Sequence, residues 1–155
     1  MLFSLIGLFA LLCASAFFSG TETAYTSLSD HEIHDLAVNA GPRGRQVQRH
    51  LERPAILLTT ILIGNNLANI GAAAIVTLIT EDLFGAKAVS AASGLLTLVV
   101  LIFCEVSPKR VAIAHNRALT LFTAYPLLVL GIVLRPFVIL VSWISSFITR
   151  FFGGG

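Results

Sequence analysis

Residues 88–107 read AVSAASGLLTLVVLIFCEVS, and this stretch decides the fold. Between Ser90 and Val106 the only ionisable side chains are Cys104 and Glu105. A helix needs about 20 predominantly apolar residues to cross a hydrocarbon core, and in lipid every backbone polar group must be satisfied within the protein. The stretch therefore reads as a transmembrane helix over about 88–107, ending at Pro108-Lys109-Arg110.

The same solvent is written across the whole chain. Of its 155 residues 56% are hydrophobic and only 12% are charged, about half the charged share of an ordinary soluble domain. The charges are segregated, with nearly half of them between Asp30 and Arg53. A net charge of +2 is too small to point to nucleic acid as a partner. Cys13 and Cys104 sit singly in apolar runs, which argues against a disulfide framework or a zinc site, and both read as small buried hydrophobes.

Two further spans follow from the same criterion. Leu2 to about Thr26 is apolar up to Ser19, and it lacks the basic residues that precede the core of a cleaved secretory signal. Pro54 to about Thr80 opens on a residue suited to a first helical turn and gives way to Glu81-Asp82 and Gly85. Residues 29–52, broken at Gly41-Pro42, read as two short polar helices beside the headgroups. Residues 118–150 are too long for one span and too short for two. Tyr125-Pro126, Gly131 and Arg135-Pro136 interrupt them, so they read as a kinked helix or helix pair beside the membrane, with Trp143 and Arg150 near the interface. Gly153-Gly154-Gly155 reads as a linker-like tail.

Basic residues gather between spans one and two and again after span three, whereas the loop between spans two and three is acidic apart from Lys87. The positive-inside rule then puts the N-terminus outside and the C-terminal side in the cytoplasm. The expected class is an all-α integral membrane domain over residues 1–152, with three transmembrane helices and juxtamembrane helices. There is no internal repeat, so any symmetry must come from a second copy of the chain.

Three polar clusters interrupt the apolar spans, where such groups are costly unless they meet one another or water. The first is Ser19-Gly20-Thr21-Glu22-Thr23, with Ser19 and Thr23 one helical turn apart. The second is Gly64-Asn65-Asn66-Leu67-Ala68-Asn69, whose three amides form a stripe. The third is Glu105-Val106-Ser107-Pro108-Lys109, where Pro108 cannot donate to the carbonyl of Cys104. The donors are hydroxyls, amide carbonyls, carboxylates and backbone oxygen, a set that suits magnesium, calcium or sodium over zinc or copper. The plainer alternative is interhelical glue, worth about 0.6 kcal/mol per pair. Glu105 has a ready partner in Lys109, and Glu22 is placed to cap the next helix or meet an arginine there.

In this order and at these separations, the three clusters resemble the transmembrane domain of the CorC/cyclin M magnesium transporter family, over essentially the whole chain. The resemblance implies a homodimer in the plasma membrane, three spans per subunit and a belt of juxtamembrane helices on the cytoplasmic side. It implies magnesium export driven by sodium entry, with Mg2+ and Na+ as the transported ions. The family's ion-site pattern falls on Ser19, Gly20, Thr23, Asn65, Asn66, Asn69 and Glu105, with Glu22, Gly64, Pro108 and Lys109 in support. Family members usually continue into cytoplasmic CBS domains, which these 155 residues do not contain. A membrane-anchored regulator that does not itself transport is the alternative. An enzyme is not expected, because no nucleophile and base lie together at membrane depth.

Overall fold

The computed structural model describes residues 1–153, so the last two glycines of the expected tail lie outside the described residues. All regular structure among these residues is helical. Helix α1, Leu2–Thr26, carries no charge before Glu22 and no proline. Helix α2, Asp30–Asn39, starts on a reciprocal cap in which Ser29 Oγ accepts the Glu32 N–H and the Glu32 carboxylate accepts the Ser29 N–H. Gly41, at φ 65°, turns the chain into α3, Gly41–Leu51. A side chain is strained in that left-handed region and glycine is not. Gly44 lets α2 and α3 touch, since a Cβ there would lie 1.7 Å from the Leu36 carbonyl oxygen.

Helix α4, Pro54–Phe84, has 31 residues and is about 46 Å long, well beyond a hydrocarbon core of about 30 Å. It runs one turn past its expected end near Thr80. Glu81 and Asp82 do not stop a helix, whereas Gly85 at φ 78° does. A short 3₁₀ turn, Ala86–Ala88, leads into α5, Val89–Val99, then a π-helical stretch, Val100–Val106, then α6, Ser107–Ala114. After a break at His115 come α7, Asn116–Val133, and α8, Arg135–Phe151.

Two boundary expectations are corrected. Pro108 does not end the third long helix, because residues 86–114 form one continuous helical rod of 29 residues. The widened π turn places the Ser107 N–H on the Ile102 carbonyl, and Pro108 then falls in the first turn of α6, where no donor is needed. Within residues 118–150 only Arg135-Pro136 marks a break, at Leu134, while Pro126 and Gly131 both stay inside α7.

By length and composition four helices suffice to cross a membrane: α1, α4, the rod 86–114, and α7. The fourth exceeds the three expected from sequence. At 18 residues it is about 27 Å long, near the lower limit for a span.

Helix α1 is the hub. It packs on α4, on the π stretch, on α6 and on α7, burying Ser15, Phe18, Ser19, Gly20, Thr21, Ala24 and Tyr25. The main apolar cluster joins Phe18 and Tyr25 to Leu36, Val47, Leu57, Ile61, Ala124 and Leu127. It ties the polar helices α2 and α3 to the spans. Cys104 is buried and its thiol donates to the Leu12 carbonyl at 3.4 Å. Cys13 is exposed, contrary to expectation, because two residues along a helix from buried Ser15 is about 200° of rotation.

Candidate functional site

Three elements bring the polar clusters together halfway along α1. Buried Ser15 sits between the two amides of α4, with its Oγ 2.7 Å from Asn69 Oδ1 and 3.0 Å from Asn65 Oδ1. One turn further along α1, the Ser19 hydroxyl donates to Glu105 Oε2 at 3.1 Å. Asn65 Nδ2 lies 3.4 Å from Glu105 Oε1, which turns its Oδ1 toward Ser15. On the far side Lys109 Nζ is 3.3 Å from Glu105 Oε2.

Ser15 is flanked by both amides of α4, and Ser19 and Asn65 both reach the Glu105 carboxylate. Hydroxyls, amides and a carboxylate thus converge, a set of hard donors that suits a cation better than a further apolar neighbour would. Glu105 adds the negative charge, and its place in a π-helical stretch displaces its carboxylate from the face a regular α-turn would give it. No group of three or more His, Cys, Asp or Glu side chains able to hold a metal is found among the described residues. The cluster is oxygen-rich but carries a single carboxylate.

Glycines set the spacing. A Cβ on Gly64 would lie 2.3 Å from Phe18 Cζ, so the Phe18 ring occupies the groove that Gly64 leaves in α4. That contact fixes neighbouring Ser19 against neighbouring Asn65. A Cβ on Gly20 would stand 3.5 Å from Pro108 Cβ, which marks the close approach of α1 to α6. Gly20, Thr21 and Pro108 also border a cavity of about 300 Å³ between α1, α6 and α7.

Of the residues singled out from sequence, Ser19, Asn65, Asn69 and Glu105 meet in one network, with Lys109 at its edge and Gly20, Gly64 and Pro108 shaping the contacts. Asn66 is exposed on another face of α4. The Thr23 carbonyl takes the Ser27 N–H, and the Glu22 carbonyl takes the Thr26 hydroxyl. The cap of α2 is built by Ser29 and Glu32, and among the described residues neither ion pair involves Glu22. Ser15 is the member that sequence reading missed, although it precedes Ser19 by one helical turn on the same face.

Outside the spans, electrostatics lock the polar helices in place. Hydrogen bonding from Asn39 and the Arg117 guanidinium hold the Asp35 carboxyl below its usual range. The backbone N–H of Ser29 does the same for Glu32. His50 on α3 has its Nε2 at 2.8 Å from the Ala124 carbonyl, an acceptor, so Nε2 carries the hydrogen. Burial pushes its pKa below the ordinary value, against the raising effect of that bond.

A bundle of apolar helices around a buried oxygen-rich cluster defines a multi-pass membrane protein domain. The chain belongs to the family described as the cyclin M transmembrane N-terminal domain, whose model matches residues 6–155. It is 38% identical over 139 residues to a UPF0053 protein of Haemophilus influenzae and 35% identical over 139 residues to the UPF0053 inner membrane protein YfjD of Escherichia coli. Each match covers 90% of this chain and 32% of the relative. A DUF21 domain-containing chloroplastic protein of Arabidopsis thaliana is 37% identical over 146 residues, 93% of this chain and 22% of that protein. The chain thus spans about a third or less of these relatives.

Proposed function

We propose that this domain carries magnesium across the membrane through the Ser15, Ser19, Asn65, Asn69 and Glu105 cluster. The single observation behind this reading is the convergence of oxygen donors: the Asn65 and Asn69 amides and the Ser15 and Ser19 hydroxyls gather beside the Glu105 carboxylate. Hard oxygen donors with one net charge suit a hard divalent ion held weakly enough to leave, and magnesium that keeps several of its waters needs few protein ligands. Export, coupling to sodium entry and assembly as a homodimer complete the proposal, on the strength of the family resemblance. CBS domains are expected in the remainder of the full-length protein.

In this reading the membrane is crossed three times. Helix α7 packs along α3, which carries Arg43, Arg45 and Arg49, and Arg43 lies over the Tyr125 ring at 5.9 Å. That contact keeps the middle of α7 level with a basic helix at the cytoplasmic surface, with the N-terminus of the chain outside.

The alternative keeps the cluster as interhelical glue in a regulator that does not transport. Magnesium flux into proteoliposomes holding the purified chain separates the two. Flux that is lost in Glu105→Gln supports transport, and absence of flux from a folded, magnesium-binding protein sinks it.

A further inference from the structure

A cavity of about 840 Å³ lies away from the polar cluster, where α3, α4, α7 and α8 meet. Its rim carries three arginines, Arg49, Arg53 and Arg135, against one carboxylate, Glu52. None of the three guanidinium groups makes an ion pair or a side-chain hydrogen bond among the described residues, where the ion pairs are Lys109–Glu105 and Arg117–Asp35. Helices α4 and α8 both begin at this rim, and neither has a side-chain cap or an acidic residue in its first turn. Their positive ends are therefore not neutralised by protein. Much of the remaining lining is apolar, with Leu57, Leu127, Ile132 and Val138 beside the hydroxyls of Thr60 and Ser142.

Along α4, charge precedes apolarity. Arg53 immediately precedes α4, and the apolar lining residues Ile56 and Leu57 follow within its first turn, in the direction in which the helix enters the hydrocarbon core. A phospholipid has the same order, with phosphate outermost and acyl chains inward. A free phosphate compound would use the rim and leave the apolar wall exposed.

We infer that this cavity is a binding site for an anionic phospholipid, with its phosphate between Arg49, Arg53 and Arg135 and an acyl chain along Leu57, Leu127 and Val138. The volume falls in the range of ordinary ligand pockets, about 300–1,000 Å³, and basic pockets between membrane helices are established headgroup sites. A bound lipid would also tie α8 to α4.

The test uses the chain stripped of lipid in neutral detergent. Phosphatidylglycerol and phosphatidylcholine with identical acyl chains are added separately, and retained lipid is read by native mass spectrometry alongside the thermal unfolding midpoint. Phosphatidylglycerol is expected to be retained and to raise the midpoint, and phosphatidylcholine is not. Substituting glutamine for all three arginines should weaken retention on the order of a hundredfold, at about a factor of five per arginine. Arg45→Gln, Arg110→Gln and Arg150→Gln together, which remove equal charge outside the cavity lining, should leave it unchanged. Gly131→Leu provides a second arm: Gly131 lines the cavity, and a Cβ there meets nothing within 4 Å. This variant should fold and yet exclude the acyl chain. Equal retention of the two lipids, indifference to the triple substitution, or equal protection by inorganic phosphate would each overturn the site. So would a midpoint rise that follows dimer formation without lipid, which would give the cavity to a second copy.

Discussion

Lys109 Nζ stands 3.3 Å from Glu105 Oε2, one turn along the same rod, while Ser19 donates to that same oxygen from α1. The carboxylate is thus held between a neutral hydroxyl and a tethered cation. An ion arriving from the Asn65 side competes with Lys109 for the one negative charge of the cluster. Both side chains are partly exposed, so their pair is worth about 0–1 kcal/mol.

It follows that Lys109→Met should tighten magnesium binding, by up to about fivefold if the whole of that pair energy is released. A magnesium titration by calorimetry on the variant and the native chain checks this. Weaker binding in the variant would show that Lys109 supports the ion instead of competing with it.

Ser15→Ala removes the hydroxyl that stands between Asn65 and Asn69. As a plain hydrogen-bond loss it should cost roughly 1 kcal/mol of stability. As the loss of an ion-facing hydroxyl it should weaken magnesium binding at least tenfold. Unfolding midpoints and magnesium titrations on one preparation separate the two effects. A destabilised variant with native affinity would make Ser15 purely structural.

The amide stripe was read as a single feature, and the structure divides it. Asn65 and Asn69 face Ser15, whereas Asn66 is exposed. Asn69→Ala and Asn65→Ala should lose most magnesium binding, and Asn66→Ala should stay within about twofold. If Asn66→Ala proves as damaging as the other two, the geometry drawn from one chain is incomplete.

Much of this was legible because lipid permits few solutions. Apolar length marked α1, α4 and a third helix over about 88–107, though not its continuation to Ala114, and the Ser29/Glu32 pair and Gly41 agree with two short polar helices. The meeting of Ser19, the Asn stripe and Glu105 followed from the cost of polar groups in hydrocarbon. What escaped was rotational and local. Ser15 hid among small residues because only packing against α4 distinguishes it from Ala14 and Ala16. Pro108 read as a stop because a π turn that absorbs a proline leaves no mark in the composition. The choice between a span and a surface helix for α7 turns on its contacts with α3, which no window of sequence contains.

His50 links α3 to α7 through the Ala124 carbonyl, and burial depresses its pKa. Above its ordinary value, about 6.5, the ring is neutral folded and unfolded and contributes no pH dependence. As pH falls through that value the unfolded chain takes up a proton that the folded chain resists, so stability is lost toward acid. Unfolding midpoints between pH 7.5 and 5.5 should therefore fall more steeply for the native chain than for His50→Gln. Parallel slopes would mean that His50 does not titrate differently on folding.

The contact of Phe18 with Gly64 yields the sharpest structural test, because it sets the register of the cluster. A methyl group on Gly64 would come within 2.3 Å of Phe18 Cζ and 2.5 Å of Phe18 Cε1, and both residues are buried. Gly64→Ala must therefore push α1 from α4 or turn the ring off its rotamer. Overpacking of this kind typically costs about 1–3 kcal/mol. Any separation of the helices also moves Ser15 and Ser19 away from Asn69 and Glu105, so magnesium affinity should fall with stability. Phe18→Leu on the Gly64→Ala background makes room for the methyl and should recover part of both losses, with a coupling energy of about 0.5–3 kcal/mol in a double-mutant cycle. Additive effects in that cycle would show that Phe18 and Gly64 do not set the helix spacing, and that the register of the oxygen cluster is held elsewhere.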